Sequence, residues 1–360
     1  MADAEIIRLD SRTRAGRTGP SRAQARVRCR ATTSTGRPCR NYATAGTGYC
    51  AVHARAQSAH PAQGSPAGQA PVHVGEAPSG PVAPSRQHPG VEEFVRRRLA
   101  GDYEVDDFGY DPELARQVLL PLAGPLYERY FRVKTLGVER IPNTGPALLV
   151  GNHSGTVAID AVMVQYAVAT EHPNERAIRN IGADLVYQLP FIGAMARKTG
   201  NAVATDEDAE ELLRRGELVG VYPEGYKGVG KGWRERYKLQ RFGRGGFMET
   251  ALRSRVPIIP VAVVGAEEAF PMIANAKWLA RILGFPYFPI TPTFPLLGPL
   301  GLLPLPSKWL IEFGDPIPMD DYPDDAADDA MLVFDLADRV RDTIQQMLYR
   351  NLQKRKGAFF

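Results

Sequence analysis

Apolar positions fall into three regimes along the chain. Residues 1–90 show no hydrophobic periodicity at all. GVEEFVRRRL and then PELARQVLLPLAGPLYERYFRV space their apolar residues three and four apart, which predicts two helical segments over residues 91–134. From about Val138 short apolar runs alternate with helical stretches. ALLVGNHSG, GELVGVYPEG, VPIIPVAVVG and KWLIEFGDPI read as strands, and DAEELLRRG and RGGFMETALRS as helices between them. That alternation predicts an α/β fold, a mostly parallel sheet flanked by helices over 135–320, with its chemistry beyond the carboxyl ends of the strands. Residues 321–360 are expected to close the chain with a helix over about Ala326–Lys354. Its stripe is Leu332, Leu336, Val340, Ile344, Met347 and Leu348. No internal repeat is visible.

Composition separates the first 90 residues from the rest. Residues 61–90 hold seven Pro, five Gly and five Ala. So poor a segment cannot bury enough surface to offset chain entropy, and 54–90 is expected to be a linker. Residues 1–26 are polar and Arg-rich, expected to be a disordered arm. The first 60 residues carry 11 Arg, no Lys and 3 acids, a net +8, while the last 270 carry −4. The basic character therefore belongs to the arm, where contact with anionic lipid or nucleic acid is expected to be weak and salt-dependent. Residues 1–30 contain no apolar stretch of signal-peptide type.

All three cysteines lie before residue 51: Cys29, Cys39 and Cys50, with His53 closing a C-x2-H pair. That usage excludes a disulfide scaffold, excludes a Cys nucleophile in the bulk of the chain, and fits a reducing cytoplasmic setting. Three thiolates and one imidazole are a closed tetrahedral zinc set, so 27–53 is expected to be a zinc knuckle with a structural metal. The spacing resembles WRC-type and short bacterial CxxT…GxPC…YCxxH zinc motifs.

Two strand ends carry candidate chemistry. His153, in GNHSGT, follows the first apolar strand, and Asp160 lies seven residues on. On a straight helix that separation leaves them ~10 Å apart. Contact requires His153 in a loop and Asp160 inside the next helix, with Gly155 giving freedom and Thr156 as the N-cap. A His held by a carboxylate can serve as general base toward a hydroxyl; spacing alone also allows a strand-end His and an unrelated helical Asp. The second end is Tyr222-Pro223-Glu224-Gly225-Tyr226-Lys227-Gly228. A basic run follows: Lys227, Lys231, Arg234, Arg236, Lys238, Arg241 and Arg244. It reads either as a solvated loop or as a cradle for an anionic head group.

Taken in order, the strand into His153-x6-Asp160, LPFIGAMARKTGNAV, VYPEGYKG and VPIIPVAVVG resemble the four blocks of the phospholipid/glycerol acyltransferase family. The resemblance covers roughly 135–320. It implies acyl transfer without a catalytic cofactor, from acyl-CoA or acyl-carrier protein as co-substrate to a glycerolipid hydroxyl of the 1-acylglycerol-3-phosphate type. His153 would be the base and Asp160 its partner. Glu224, Gly225 and Lys227 would bind the acceptor, with Arg197 or Lys198 as the cations of the second block. It also implies membrane lipids as partners and a peripheral place on the inner face of the cell membrane. The family's usual His-x4-Asp is His-x6-Asp here, and its usual Thr-Arg-Ser after PEG is Tyr226-Lys227-Gly228. The longer His–Asp spacing and YKLQRFGRGGF at 237–247 look more like mono- and diacylglycerol acyltransferases, so a neutral acceptor is the alternative. A second alternative is a zinc-knuckle binding protein with an inactive acyltransferase-like domain. No G-x-S-x-G elbow of a hydrolase occurs.

Residues 282–307 carry no charge over 26 positions, yet seven prolines bar a regular spanning helix. The expectation is a loop packed partly on the domain, presenting apolar surface to a bilayer or lining an acyl tunnel.

Overall fold

The computed structural model describes Arg30 and residues 90–359 apart from Pro190 and Arg244. Cys29, Cys39, Cys50 and His53, like the arm and nearly all of the linker, lie outside the described residues.

A seven-stranded sheet forms the centre, in the order β1-β9-β6-β2-β5-β3-β4. Its strands are β1 (Lys134–Leu136), β2 (Ala147–Gly151), β3 (Ile178–Gly182), β4 (Ala202–Val203), β5 (Leu218–Val221), β6 (Ile258–Val264) and β9 (Leu310–Phe313). Every pairing is parallel except β6 with β9. The strands β7 (Ala274–Asn275) and β8 (Pro289–Ile290) form a separate small antiparallel pair. β2 and β6 are buried at every position, as expected of strands covered on both faces.

The sheet runs through helices on both faces. α1 (Val91–Ala100) precedes a helical stretch over 112–130, here α2, in which the α-turns Pro112–Leu114 and Leu120–Pro125 alternate with π-turns Ala115–Leu119 and Leu126–Tyr130. α3 (Ile159–Glu171) crosses from β2 to β3. α4 (Asp184–Gln188) and α5 (Ile192–Lys198) lie between β3 and β4, and α6 (Asp206–Arg214) between β4 and β5. A short α7 (Tyr226–Val229) follows β5, α8 (Gly246–Ser254) leads into β6, and α9 (Ala266–Ala269) leaves it. α10 (Lys277–Leu283) sits within the β7–β8 connection, and α11 (Ala330–Lys354) is the last of the described helices.

Two apolar layers sandwich the sheet. On one face α11, through Val333, Leu336, Val340, Ile344, Met347 and Leu348, packs with Ile258, Ala262, Val264 and α8. On the other, Tyr127 of α2, Phe131 just past it, and Met163 and Val164 of α3 form a layer with Ile259, Val261, Phe313 and Trp309. α11 starts at Ala330 and not at Ala326, because the Asp329 carboxylate accepts the N–H groups of Met331 and Leu332. Residues 326–328 form a separate 3-10 turn.

The uncharged segment is irregular, as its prolines require. Among the described residues no helix is long and apolar enough to cross a membrane. Leu296, Leu297, Leu300 and Leu303 are exposed, Leu296 by 84%. Trp278 and Ile282 on α10 are also exposed. Tyr287 anchors the segment by donating its hydroxyl to Thr156 O at 2.7 Å.

Candidate active site

The site is assembled at the carboxyl ends of β2, β5 and β6, three adjacent strands of the sheet. β2 ends at Gly151, and the loop that follows is stapled to β6. Asn152 Nδ2 donates to Val263 O at 3.0 Å, and Val263 N–H donates to Asn152 Oδ1 at 2.7 Å. Both groups are buried, so the pair completes the sheet's hydrogen bonding where the strand itself has stopped.

His153 comes next. Its Nδ1 lies 2.9 Å from Asp160 Oδ2. Asp160 is fully buried in the first turn of α3 and also accepts Ser154 N–H at 2.8 Å and Ala161 N–H at 2.9 Å. The six intervening residues fold back instead of continuing a helix, which brings together two side chains that a straight helix would separate. α3 is entered from Ala158, so Thr156 is not the N-cap; its hydroxyl donates to Phe270 O at 3.1 Å. With a carboxylate accepting at Nδ1, the proton of the neutral ring sits there and Nε2 is left as the acceptor. The imidazole is 15% exposed and stacks on the Tyr222 ring, with centroids 4.9 Å apart and planes 28° from parallel.

β5 delivers the second loop. Gly225 has φ 52° and ψ −140°, a conformation that only glycine takes without strain. At Gly228 a Cβ would sit 2.7 Å from His153 O and 2.9 Å from His153 Cβ, so glycine there lets α7 press directly on the histidine loop. Glu224 faces inward. Its Oε1 accepts His153 N–H at 3.0 Å, and its Oε2 accepts Gln240 N–H at 2.7 Å and lies 3.2 Å from Lys231 Nζ. Both Glu224 oxygens are thus engaged, and the side chain joins the two loops.

The expected cations are distributed differently. Lys227 is exposed on α7 beside the histidine loop. Lys231 is only 4% exposed and pairs with Glu224 and Glu267, so it is no part of a solvated cradle. Arg234, Arg236, Lys238 and Arg241 are exposed. The Arg236 guanidinium lies over the Trp233 ring at 4.3 Å and that of Arg241 over Phe334 at 4.8 Å. Arg197 and Lys198 follow β3, which is two strands from β2 and therefore ~10 Å away in the sheet. Arg197 covers the Tyr187 ring at 5.0 Å, and Lys198 Nζ lies 3.6 Å from buried Asp111. Neither is brought into contact with His153.

Sequence reasoning passed over Tyr222, Asn152 and the Glu267 carboxylate. The signal for Glu267 was its position in GAEEAF, directly past the buried strand β6, where an α/β sheet exposes chemistry.

The Acyltransferase family model matches residues 132–264, the stretch from β1 through β6 that holds His153, Asp160 and Glu224. An uncharacterised protein of Mycobacterium tuberculosis is 53% identical over 270 residues, 75% of each chain. One of Mycobacterium leprae is 50% identical over 281 residues, 78% of this chain and 77% of its own. A human protein described as a DGAT1/2-independent enzyme synthesizing storage lipids is 26% identical over 215 residues, 59% of each chain. The crystal structure of a 1-acyl-sn-glycerophosphate acyltransferase from Thermotoga maritima superposes with a TM-score of 0.45 at 19% identity, covering 74% of this chain and 90% of that one. The chain thus carries an Acyltransferase-family domain over residues 132–264 and belongs with the uncharacterised mycobacterial proteins that share three quarters of its length.

Proposed function

We propose that the chain is a membrane-associated glycerolipid O-acyltransferase that uses His153 as its general base. The observation that carries the proposal is the His153 Nδ1–Asp160 Oδ2 contact of 2.9 Å at the end of β2. Nε2 takes the proton of an acceptor hydroxyl as its oxygen attacks the thioester carbonyl of acyl-CoA or an acyl-carrier protein. The C–S bond breaks, an ester is formed, and the proton passes from the imidazolium to the departing thiolate. Asp160 keeps the ring in the required tautomer and stabilises the imidazolium. No step calls for a metal or a redox group.

Two readings of the acceptor have support. Exposed Lys227, Arg236 and Arg241 on the loops around β5 suit a phosphate-bearing acceptor such as a lysophospholipid. The engagement of Lys198 with Asp111 and of Arg197 with Tyr187 favours a neutral acceptor, a mono- or diacylglycerol. The name of the human relative, an enzyme of storage-lipid synthesis, points the same way. Membrane contact is assigned to the exposed leucines of 296–303 with Trp278 and Ile282, on the segment that Tyr287 ties to the histidine loop. Purified protein in mixed micelles, given labelled acyl-CoA and a panel of lysophosphatidate, other lysophospholipids, monoacylglycerol and diacylglycerol, tests the reaction and separates the acceptors. Labelled product from none of them contradicts the proposal.

A further inference from the structure

Behind the site runs a line of buried charges that the proposed chemistry does not use. Glu224, already bonded to the His153 main chain, shares the Lys231 ammonium with Glu267. Nζ lies 3.2 Å from Glu224 Oε2 and 3.0 Å from Glu267 Oε1. Glu267 Oε2 accepts Tyr237 N–H at 2.7 Å. The three side chains are 0–6% exposed, so water screens none of these interactions. Other charged groups close the surroundings. Arg236 lines the same small cavity as Lys231 and Glu267, together with Gly228 and Thr156. The neighbouring Glu268 is held by the Tyr237 hydroxyl and by Arg355, whose Nη1 is 3.1 Å away.

Two carboxylates around one ammonium make a cluster whose parts depend on one another. Breaking a buried pair by removing one partner leaves a charge without compensation. Here the stranded charges would be two carboxylates, both within 3.2 Å of the point the ammonium had occupied. Burial pushes the Glu267 carboxyl up to about 7 even with Lys231 opposing it. Burial also works against the Lys231 ammonium, but Glu267 and Glu224 outweigh it and raise its pKa. The cluster joins the β2 loop, the β5 turn, the 231–240 loop and the end of β6, which are the pieces that must hold still for His153 to point one way.

We infer that Lys231 and Glu267 are positioning residues: through Glu224 they fix the main chain at His153 and so the direction of its imidazole. The inference rests on the acyl-transfer reading for its kinetic consequence, but its structural consequence can be read without any substrate.

The test uses the full chain as Lys231→Met, Lys231→Arg, Glu267→Gln and the Lys231→Met/Glu267→Gln double variant. Two quantities are read in each. One is kcat and KM for the acceptor that wild type uses. The other is hydrogen exchange at the His153 amide in ¹⁵N-histidine-labelled protein, its signal assigned by its loss in His153→Ala. Lys231→Met is expected to lower kcat about 10–100-fold with little change in KM, and to speed His153 exchange about tenfold or more. Lys231→Arg should recover most of both. The double variant should be less impaired than Lys231→Met alone, because it no longer opposes two like charges. A merely structural role would lower the amount of folded protein without giving this order of recovery. Should Lys231→Met fail to fold, Glu267→Gln decides: slower turnover with faster His153 exchange supports the inference, and wild-type values of both overturn it. If wild type transfers no acyl group at all, the functional reading has failed. The amide measurement then stands alone, and unchanged exchange in Lys231→Met overturns the positioning role.

Discussion

His153 and Asp160 touch across six intervening residues, Nδ1 to Oδ2 at 2.9 Å, because the chain between them folds back before α3 begins. The same Asp160 oxygen accepts Ser154 N–H at 2.8 Å, so the carboxylate holds both the ring and the main chain next to it. Asp160→Asn keeps the shape but can present an N–H to Nδ1, which favours the wrong tautomer. Turnover is expected to fall about 10²–10⁴-fold with near-normal thermal stability, measured by steady-state acyl transfer alongside thermal melts. Wild-type turnover in this variant would show that the contact does not serve the base.

Gly228 offers a steric test of the contact between the two loops. An added Cβ would lie 2.7 Å from both His153 O and Glu224 Cβ, with main chain on one side unable to give way cheaply. Gly228→Ala is expected to destabilise the fold by about 1–3 kcal/mol and to lower turnover. Gly216→Ala is a less useful control, because its φ of 82° makes any side chain strained even in open space. A thermal melt of Gly228→Ala equal to wild type would mean that α7 is not pressed against the histidine loop.

Glu267 makes stability depend on pH in a defined direction. Its carboxyl is raised from the ordinary value to about 7 by burial, so between ordinary glutamate values and about pH 7 the folded chain holds a proton that the unfolded chain has lost. Stability carried by this group therefore falls as pH rises through that window. Glu267→Gln, which cannot titrate, should lose less stability than wild type between pH 5 and pH 7.5 in parallel denaturant unfolding. Parallel curves for the two proteins would contradict the raised value.

The exposed leucines predict an interfacial face. Leu296 and Leu300 are 84% and 69% exposed, so Leu296→Asp and Leu300→Asp remove little packing. Together they should leave the melting temperature near wild type while cutting co-sedimentation with phospholipid vesicles several-fold. Equal sedimentation would move the membrane contact elsewhere on the chain.

For the first 60 residues the expectation is chemical. The full chain should carry one zinc, lost when Cys39 and Cys50 are changed to serine, with acyl transfer in micelles little altered. Metal analysis giving no zinc in the wild-type chain would leave only a basic arm.

Long apolar runs were legible in the sequence. β2, β5, β6 and β9 announce themselves because their residues are buried on one or both faces, and α11 because its stripe repeats at helical spacing. β3 did not, since Arg179 and Asn180 sit mid-strand. Arg179 is buried there only because Asp106 and Glu217, each 2.7 Å away, and Gly200 O at 2.6 Å compensate it. β1 and β4, at three and two residues, are too short to show a period. The places of His153 and Glu224 at strand ends are legible, as is the seven-residue step from His153 to Asp160. The inward turn of Glu224 and its sharing of Lys231 with Glu267 are not, because a partnership across 36 positions leaves no local pattern.

The central claim is that His153 removes the acceptor's proton. Its most direct measurement is acyl transfer by wild type and His153→Ala on whichever glycerolipid the acceptor panel identifies, with lipid binding measured in parallel. The account predicts transfer by wild type and a loss of about 10²–10⁴-fold in kcat for His153→Ala, with lipid binding and the thermal melt nearly unchanged. Transfer by His153→Ala at the wild-type rate would contradict it.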